Sequence, residues 1–397
     1  MKFAHFADCH IGSWTSNPEL KELNLKVFKK AISVCIKEHT AFILLSGDLF
    51  NNALPDIDLI SETAKILKKA RSKNISIYII PGSHDVAPSG KTMLNFLENT
   101  GLVTNVFKIK DNNLKFTIDK TNTKITGMLG RKGTLEINEY QSLNKELLEK
   151  EPGFKIFMFH SAITELKPES LDIPSSSMNI LPKNFNYYAG GRVHCITQKK
   201  YGNGIITYPG ALFPNNFKEL EEFKHGGLYI VDDKLNIKYS PIKLKEVISI
   251  LINANNKAVE EIQREIKEKL TNTENKIITL RIEGILKQGQ PSDLKLNEIL
   301  KQVKAFSIVT NINKLTTKEF EGFNIEASQS EEIEKRAIEK AIENKKIEDE
   351  EELIKTLMSS LNIEKEEGEK NIDFEDRLLK NLIETLKLKE VWDDKES

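Results

Sequence analysis

Asp8 and His10 stand two residues apart, just past the apolar run from Lys2 to Ala7. A carboxylate and an imidazole at that spacing can ligate a metal, since residues two apart on an extended chain point the same way. An isolated Asp-x-His serves equally well to cap the next segment from a solvated loop. The pairing gains weight because its kind recurs. Ser46-Gly47-Asp48, Gly82-Ser83-His84-Asp85, His160 and Gly190-Gly191-Arg192-Val193-His194 each follow another apolar run. Of seven histidines, four (His10, His84, His160, His194) take such positions, and Asp8 and Asp48 lie in the same register.

Mixed Asp/His ligands suit borderline metals such as manganese, iron or zinc. A carboxylate can bridge two ions and lower their net charge, while neutral imidazoles bind without adding any. An ion lowers the pKa of its water from about 15.7 to roughly 7, and a pair ~3.5–4 Å apart stabilises both oxygens of a phosphoryl displacement. The pattern therefore points to hydrolysis of a phosphoester.

The elements that must position these groups alternate. Short apolar stretches at Lys2 to Ala7, Ala41 to Leu45 and Ile75 to Ile80 read as buried strands. Between them, Pro18 to Lys37 carries Leu20, Leu23, Val27, Ala31, Val34 and Cys35 at helical spacing, and Ile57 to Arg71 carries Ile60, Ala64 and Leu67. Strand–helix alternation with such apolar strands predicts an α/β fold with a mostly parallel sheet covered on both faces. Ligands of such sheets bind beyond the carboxyl ends of the strands, where all the candidate residues fall. Helices are expected at Lys91 to Asn99 and Leu135 to Lys150. Strands are expected at Val106 to Lys110, Leu114 to Ile118, Lys124 to Leu129, Phe154 to Phe159, Ile205 to Gly210 and Gly226 to Val231, and Tyr187 to His194 reads as a short strand, glycines, then His. Together these predict a two-sheet sandwich flanked by helices. His5 alternates inward and reads as a core histidine.

With 58 Lys+Arg against 59 Asp+Glu, the net charge of −1 argues neither for nor against a nucleic-acid partner. Three widely spaced cysteines (Cys9, Cys35, Cys195) fit reduced, packed thiols better than a disulfide framework. No leader sequence is visible, and no apolar run approaches the ~20 residues of a membrane helix, so the expected location is cytoplasmic and nucleoid-associated.

Past Ser240-Pro241 the pattern changes to strand, helix, strand, helix, strand, ending near Ile312 and carrying no further Asp/His/Cys cluster. From about Ser328 the chain becomes charged, with apolar stripes Ile333/Ala337/Ala341, Leu353/Leu357/Leu361 and Phe374/Leu378/Leu382/Leu386. Such helices suit docking on a partner helix, and equally a solvated bundle closed on itself.

In chain order these motifs resemble the calcineurin-like metallophosphoesterases. Ser46-Gly47-Asp48-Leu49-Phe50, Tyr208-Pro209-Gly210, Phe213, Glu219 and Gly226-Gly227 narrow the resemblance to DNA double-strand-break repair nucleases, SbcD in bacteria and the "Mre-eleven" family in archaea and eukaryotes. The resemblance implies a metallophosphoesterase (nuclease) domain at 1–240, a small α+β capping domain at 241–326 and a charged helical tail at 327–397. It implies Mn2+ as cofactor, held at a first site by Asp8, His10, Asp48 and His194, with Asp48 bridging to a second site shared with His160. His84 matches the residue that contacts the scissile phosphate. It also implies DNA as substrate, homodimerisation, and an ATPase partner of SbcC/"Rad-fifty" type bound through the C-terminal helices.

Two positions depart from the pattern. Ser83 stands where the family has Asn, and Arg192 where it has His. Arginine has no lone pair to offer a metal and carries a fixed charge. The expectation is one strong metal site and a second that is weak or empty. Arg192 either clamps a phosphate oxygen bidentately or faces away. Arg131, Lys132, Lys199 and Lys200 are candidate contacts to DNA phosphates. A catalytically weakened scaffold that binds DNA and the ATPase is one alternative, and a phosphodiesterase for small molecules is another.

Overall fold

The computed structural model describes residues 1–317 other than 88, 111–112, 132–135 and 172, together with the isolated residues 356, 359, 374, 377, 378 and 381. The chain divides into two compact units, Met1–Leu315 and Thr316–Ser397. In the second unit the six isolated residues are helical. The remainder of the three stripes expected there lies outside the described residues, as does Lys132.

The first unit opens with β1 (Lys2–Phe6), α1 (Pro18–Lys37), β2 (Phe42–Ser46), α2 (Ile57–Arg71), β3 (Ser76–Ile80), α3 (Leu94–Asn99) and β4 (Thr104–Asn105). β1 to β4 pair in parallel. α1 starts where expected because Pro18 presets its first turn and the Asn17 side chain accepts from Leu20 N at 3.0 Å. Its buried stripe, Leu20, Leu23, Val27, Phe28, Ala31, Ile32 and Cys35, packs on the outer face of this sheet with Leu67 and Ala70 of α2.

The second sheet follows. A small ladder, β5 (Ile109–Lys110) with β6 (Asn113–Leu114), precedes β7 (Thr117–Ile118), β8 (Lys124–Gly127), α4 (Glu136–Gln141), α5 (Lys145–Lys150), β9 (Lys155–His160), β10 (Tyr187–Gly191), β11 (Ile196–Tyr201) and β12 (Gly204–Pro209). Its order is β11-β12-β10-β9-β8-β7. After α6 (Phe217–Phe223), β13 (Gly226–Asp232) and β14 (Ile237–Ile242) return antiparallel to the first sheet, giving β14-β13-β1-β2-β3-β4. The two inner faces share one core of Phe3, Phe42, Leu44, Ile80, Ile156, Met158, Tyr187, Ala189 and Val231. This is the α/β two-sheet sandwich read from the sequence, and the central strands are buried on both faces.

Local differences have local causes. The helix expected over Leu135 to Lys150 breaks into α4 and α5 at Ser142 to Asn144, because Asn favours caps and turns over helix interiors. β11 and β14 escaped prediction. Both are sheet edges, one rich in polar side chains and one containing Pro241, so neither has the apolar run that marks a central strand.

The module beyond Pro241 comprises β15 (Val247–Asn253), α7 (Val259–Lys269), β16 (Ile277–Leu286), α8 (Leu296–Leu300) and β17 (Ser307–Asn311). β15, β16 and β17 pair in parallel. It has its own core of Ile250, Ile252, Val259, Ile262, Ile266, Leu280, Ile282 and Leu286. The helix expected from Leu294 to Val303 shortens to α8 because Lys295 takes a left-handed φ of 42°.

Candidate metal centre

The candidate ligands leave the ends of both sheets and converge. Asp8 and His10 follow β1, Asp48 follows β2, Ser83 and His84 follow β3, His160 ends β9, and Arg192 and His194 follow β10. Three groups have ligand atoms within 4.8 Å of one another: Asp8/His10/His194, His10/Asp48/His84 and Asp8/Asp48/His160. Asp48 Oδ2 lies 3.2 Å from His160 Nε2 and 3.6 Å from His10 Nε2, and Asp8 Oδ1 lies 3.8 Å from His194 Nε2. Ligands each about 2.0–2.2 Å from a shared ion stand roughly this far apart.

The pleat of an extended strand does not produce this convergence, contrary to the expectation for Asp8 and His10. Both have left-handed backbones, φ 51° and 40°, as do Asp48 (52°) and Arg192 (86°). Such conformations cost roughly 1–3 kcal/mol each and persist where the surroundings impose them. Here the surroundings are hydrogen bonds between loops. Asp8 N donates to Gly47 O, and His10 N donates to Asp48 O. Arg192 N donates to both Asp8 oxygens at 2.9 and 3.1 Å, and His84 N donates to Asp48 Oδ1 at 2.8 Å.

Asp85, quoted in the sequence only as a neighbour, is a buried staple. Its carboxylate accepts from Leu49 N, Phe50 N and Gly82 N, which ties the loop of Asp48 to the loop of His84. Burial, then the nearby Asp48 charge, push its carboxyl up to about 7. The Gly-x-His-Asp spacing was the available signal for it.

In His160, His84 and His194 the second ring nitrogen has a partner that orients the ring. His160 Nδ1 donates to Ser46 O at 2.8 Å and His84 Nδ1 to Asn51 O at 2.9 Å, which turns each Nε2 toward the cluster or the cleft. His194 Nδ1 pairs with Glu219 Oε1 at 2.9 Å. Outer partners of this kind orient metal-ligating histidines. Glu219 was visible in the sequence only as part of a family signature.

His160 is also caged. A Cβ on Gly47, Gly130 or Gly191 would stand 2.2, 2.5 or 2.7 Å from its ring atoms. Bulk there is excluded, so the glycines read as packing requirements of one histidine.

Electrostatics favour a cation. Burial raises the Asp8 carboxyl above its usual range, against the pull of His194 and His160. Burial also opposes ionisation of Asp48, but the adjacent His160 outweighs it and holds that carboxyl well below its usual range. Burial pushes His10 down to about 3. For His160 and His194 burial favours the neutral ring. Asp48 overrides it in the first and Glu219 with Asp8 in the second, holding both near 9. Both nitrogens of His10, and Nε2 of His160, are buried with no hydrogen-bond partner among the described residues. An unsatisfied buried group costs about 1–3 kcal/mol. A divalent ion beside Asp48 would satisfy His10 Nε2 and His160 Nε2 and offset two buried carboxylates, so the donor set fits such a group.

A cleft of about 390 Å3 is lined by His10, Asp48, Ser83, His84, Ile173, Arg192 and His194. Ser83 and Arg192 thus border the same space as Asp48. The Arg192 side chain is half-buried and makes no ion pair among the described residues. Of the other basic candidates, Arg131 is engaged by Glu139 at 2.7 Å, and Lys199 and Lys200 project from edge strand β11. His5 is wholly buried with Nδ1 2.9 Å from Tyr187 Oη, a core position as expected. Cys9 and Cys35 are buried and all three cysteines are free thiols.

Fold and site together define a metal-dependent phosphoesterase. The chain belongs to the calcineurin-like phosphoesterase family, whose model matches residues 1–206. Curated relatives bear the name DNA double-strand break repair protein Mre11. That of Methanococcus maripaludis is 30% identical over 241 residues, 57% of this chain and 61% of that protein. That of Methanocaldococcus jannaschii is 27% identical over 285 residues, 66% and 74% of the two chains. That of Sulfurisphaera tokodaii is 27% identical over 336 residues, 79% and 81%. The match to the first of these therefore spans less than two thirds of its length. No helix among the described residues is long and apolar enough to cross a membrane.

Proposed function

We propose that this protein is a manganese-dependent DNA nuclease, with exonuclease and endonuclease activity, and a subunit of a double-strand-break repair complex. The observation that carries the reading is the convergence of Asp8, His10, Asp48, His84, His160 and His194 on one cleft. Asp8, His10, Asp48 and His194 hold the first ion. Asp48 and His160 hold the second, with Ser83 a poor substitute for an amide ligand. A bound divalent ion supplies Lewis acidity, neutralising phosphodiester charge and activating water. His84 presents Nε2 to the leaving oxygen, its ring fixed by Nδ1 donation to Asn51 O. Arg192 offers a bidentate clamp to a non-bridging phosphate oxygen.

The division into a nuclease domain (1–240), a capping domain (241–326) and a helical tail (327–397) completes the proposal. It draws support from the separate core of the module beyond Pro241. The names of the curated relatives support DNA as the substrate. The tail is the proposed docking site for the SbcC/"Rad-fifty"-type ATPase, and the protein acts as a homodimer.

The test is cleavage of end-labelled duplex DNA with Mn2+, beside an Asp48→Ala control. Cleavage lost in the control supports the nuclease. No cleavage by either protein, even with the ATPase and ATP, favours the scaffold reading, which Ser83 and Arg192 motivate. Equal turnover of a small phosphodiester and of duplex DNA favours the small-molecule phosphodiesterase.

A further inference from the structure

Two of the carboxylates on helix α6, Glu219 and Glu221, have different tasks. Glu219 Oε1 takes the hydrogen bond of His194 Nδ1 at 2.9 Å. Its other partners hold it in place, with Asn216 Nδ2 2.7 Å from Oε1 and Asn215 N 2.9 Å from Oε2. Two residues on, Glu221 takes Arg281 of β16 in a forked pair, Nε at 3.0 and 3.1 Å and Nη2 at 2.5 Å. Residues two apart on a helix of 3.6 residues per turn point about 200° apart. One face of α6 therefore looks at the metal cluster while the other looks at the module beyond Pro241.

The module side is built for fixed geometry. The Arg281 guanidinium also stacks 5.0 Å from the Phe217 ring centroid. Arg281 and Glu221 are only 20% and 23% exposed, so the pair is shielded and bidentate, unlike a loose surface ion pair. Ser249 of β15 donates to Glu221 O at 3.2 Å, accepts from Thr279 at 2.8 Å and is also bonded by Lys224, which ends α6. A second hydrogen-bonded anchor of the module among the described residues, Asn17 with Ser307, lies at the start of α1 and involves no candidate ligand.

We propose that α6 is a two-sided strut in which Glu219 and the Glu221–Arg281 pair are positioning residues, so that His194 is aimed for metal binding only while the strand–helix–strand module is docked on the helix. The proposal rests on the reading of His194 as a metal ligand. It assigns the module a role in assembling the centre although it contributes no ligand to it.

The test is titration of the full-length protein with Mn2+, following free Mn2+ by electron paramagnetic resonance, with melting temperature measured in parallel. Glu219→Gln weakens the His194 site about tenfold, as loss of an outer-sphere partner does. Arg281→Ala weakens the same site about threefold or more, although it lies in another module. The exchange Glu221→Arg with Arg281→Glu restores the affinity that either single change removes. Arg281→Lys, which keeps the charge and loses the fork, decides the question if Arg281→Ala does not fold, and is expected to show the same direction. A lower melting temperature with unchanged Mn2+ affinity in these Arg281 variants overturns the strut. Equal Mn2+ uptake by the unmodified protein and by Asp48→Ala overturns the metal centre itself, and the strut falls with it.

Discussion

His160 and His194 come from the ends of neighbouring strands, β9 and β10, and are held by opposite means. His160 is wholly buried, bonded to the Ser46 carbonyl and enclosed by Gly47, Gly130 and Gly191. His194 is 23% exposed and bonded to a side chain, Glu219, on a seven-residue helix. The backbone of two strands fixes the first, so it moves only if the sandwich moves. The second depends on one replaceable contact and on what anchors the helix that bears it. A candidate metal centre can thus contain one histidine that is part of the fold and one that is adjustable.

Breaking the fold-borne side has the largest expected effect. Gly47→Ala forces a Cβ onto His160 at a residue with φ 88°, and should cost more than about 2 kcal/mol of stability in chemical denaturation along with metal binding. Glu219→Gln sharpens the contrast. It should weaken Mn2+ binding about tenfold while stability changes by less than about 1 kcal/mol. If both variants lose stability and metal together, the two histidines are held alike and the comparison fails.

The pH response is next. His160 and His194 are held near 9 in the metal-free protein, above the ordinary 6.5. Groups with raised folded-state values stabilise fully below the ordinary value, and that stability is lost as pH climbs through the folded one. Metal-free protein should therefore lose stability between about pH 6.5 and pH 9, as measured by thermal melts. Mn2+ should compete with the protons, so binding at pH 7 should release them, visible as buffer-dependent heats. Glu219→Gln should shrink the loss and the release, because the carboxylate charge that helps raise His194 is gone. Smallest is a gain: Ser83→Asn with Arg192→His should raise bound Mn2+ from near one toward two per chain, counted by elemental analysis. An unmodified protein that already binds two ions tightly contradicts the altered-site reading.

The cluster was legible because its chemistry is written as type and position. Asp, Gly and His recurring at the ends of apolar runs announce ligands at strand termini, and apolar runs of strand length announce a buried parallel sheet. The central strands and α1 followed from the same signals. Edge strands β11 and β14 did not, since an edge has neither the apolar run nor the strict alternation of a strand with a dry face.

What the sequence by itself determined, then, is the inventory: which side chains can ligate, which two positions depart from the family pattern, and which sheet delivers them. Tertiary structure decided how they are aimed. The left-handed backbones of Asp8, His10, Asp48 and Arg192 arise from hydrogen bonds between loops far apart in the chain. The staple at Asp85, the glycine cage of His160 and the link from His194 through α6 to Arg281 join residues from 3 (Gly82 and Asp85) to 113 (Gly47 and His160, 160 − 47) positions apart. Local propensity contains no term for such partners, because their energy exists only once separate strands have been brought side by side.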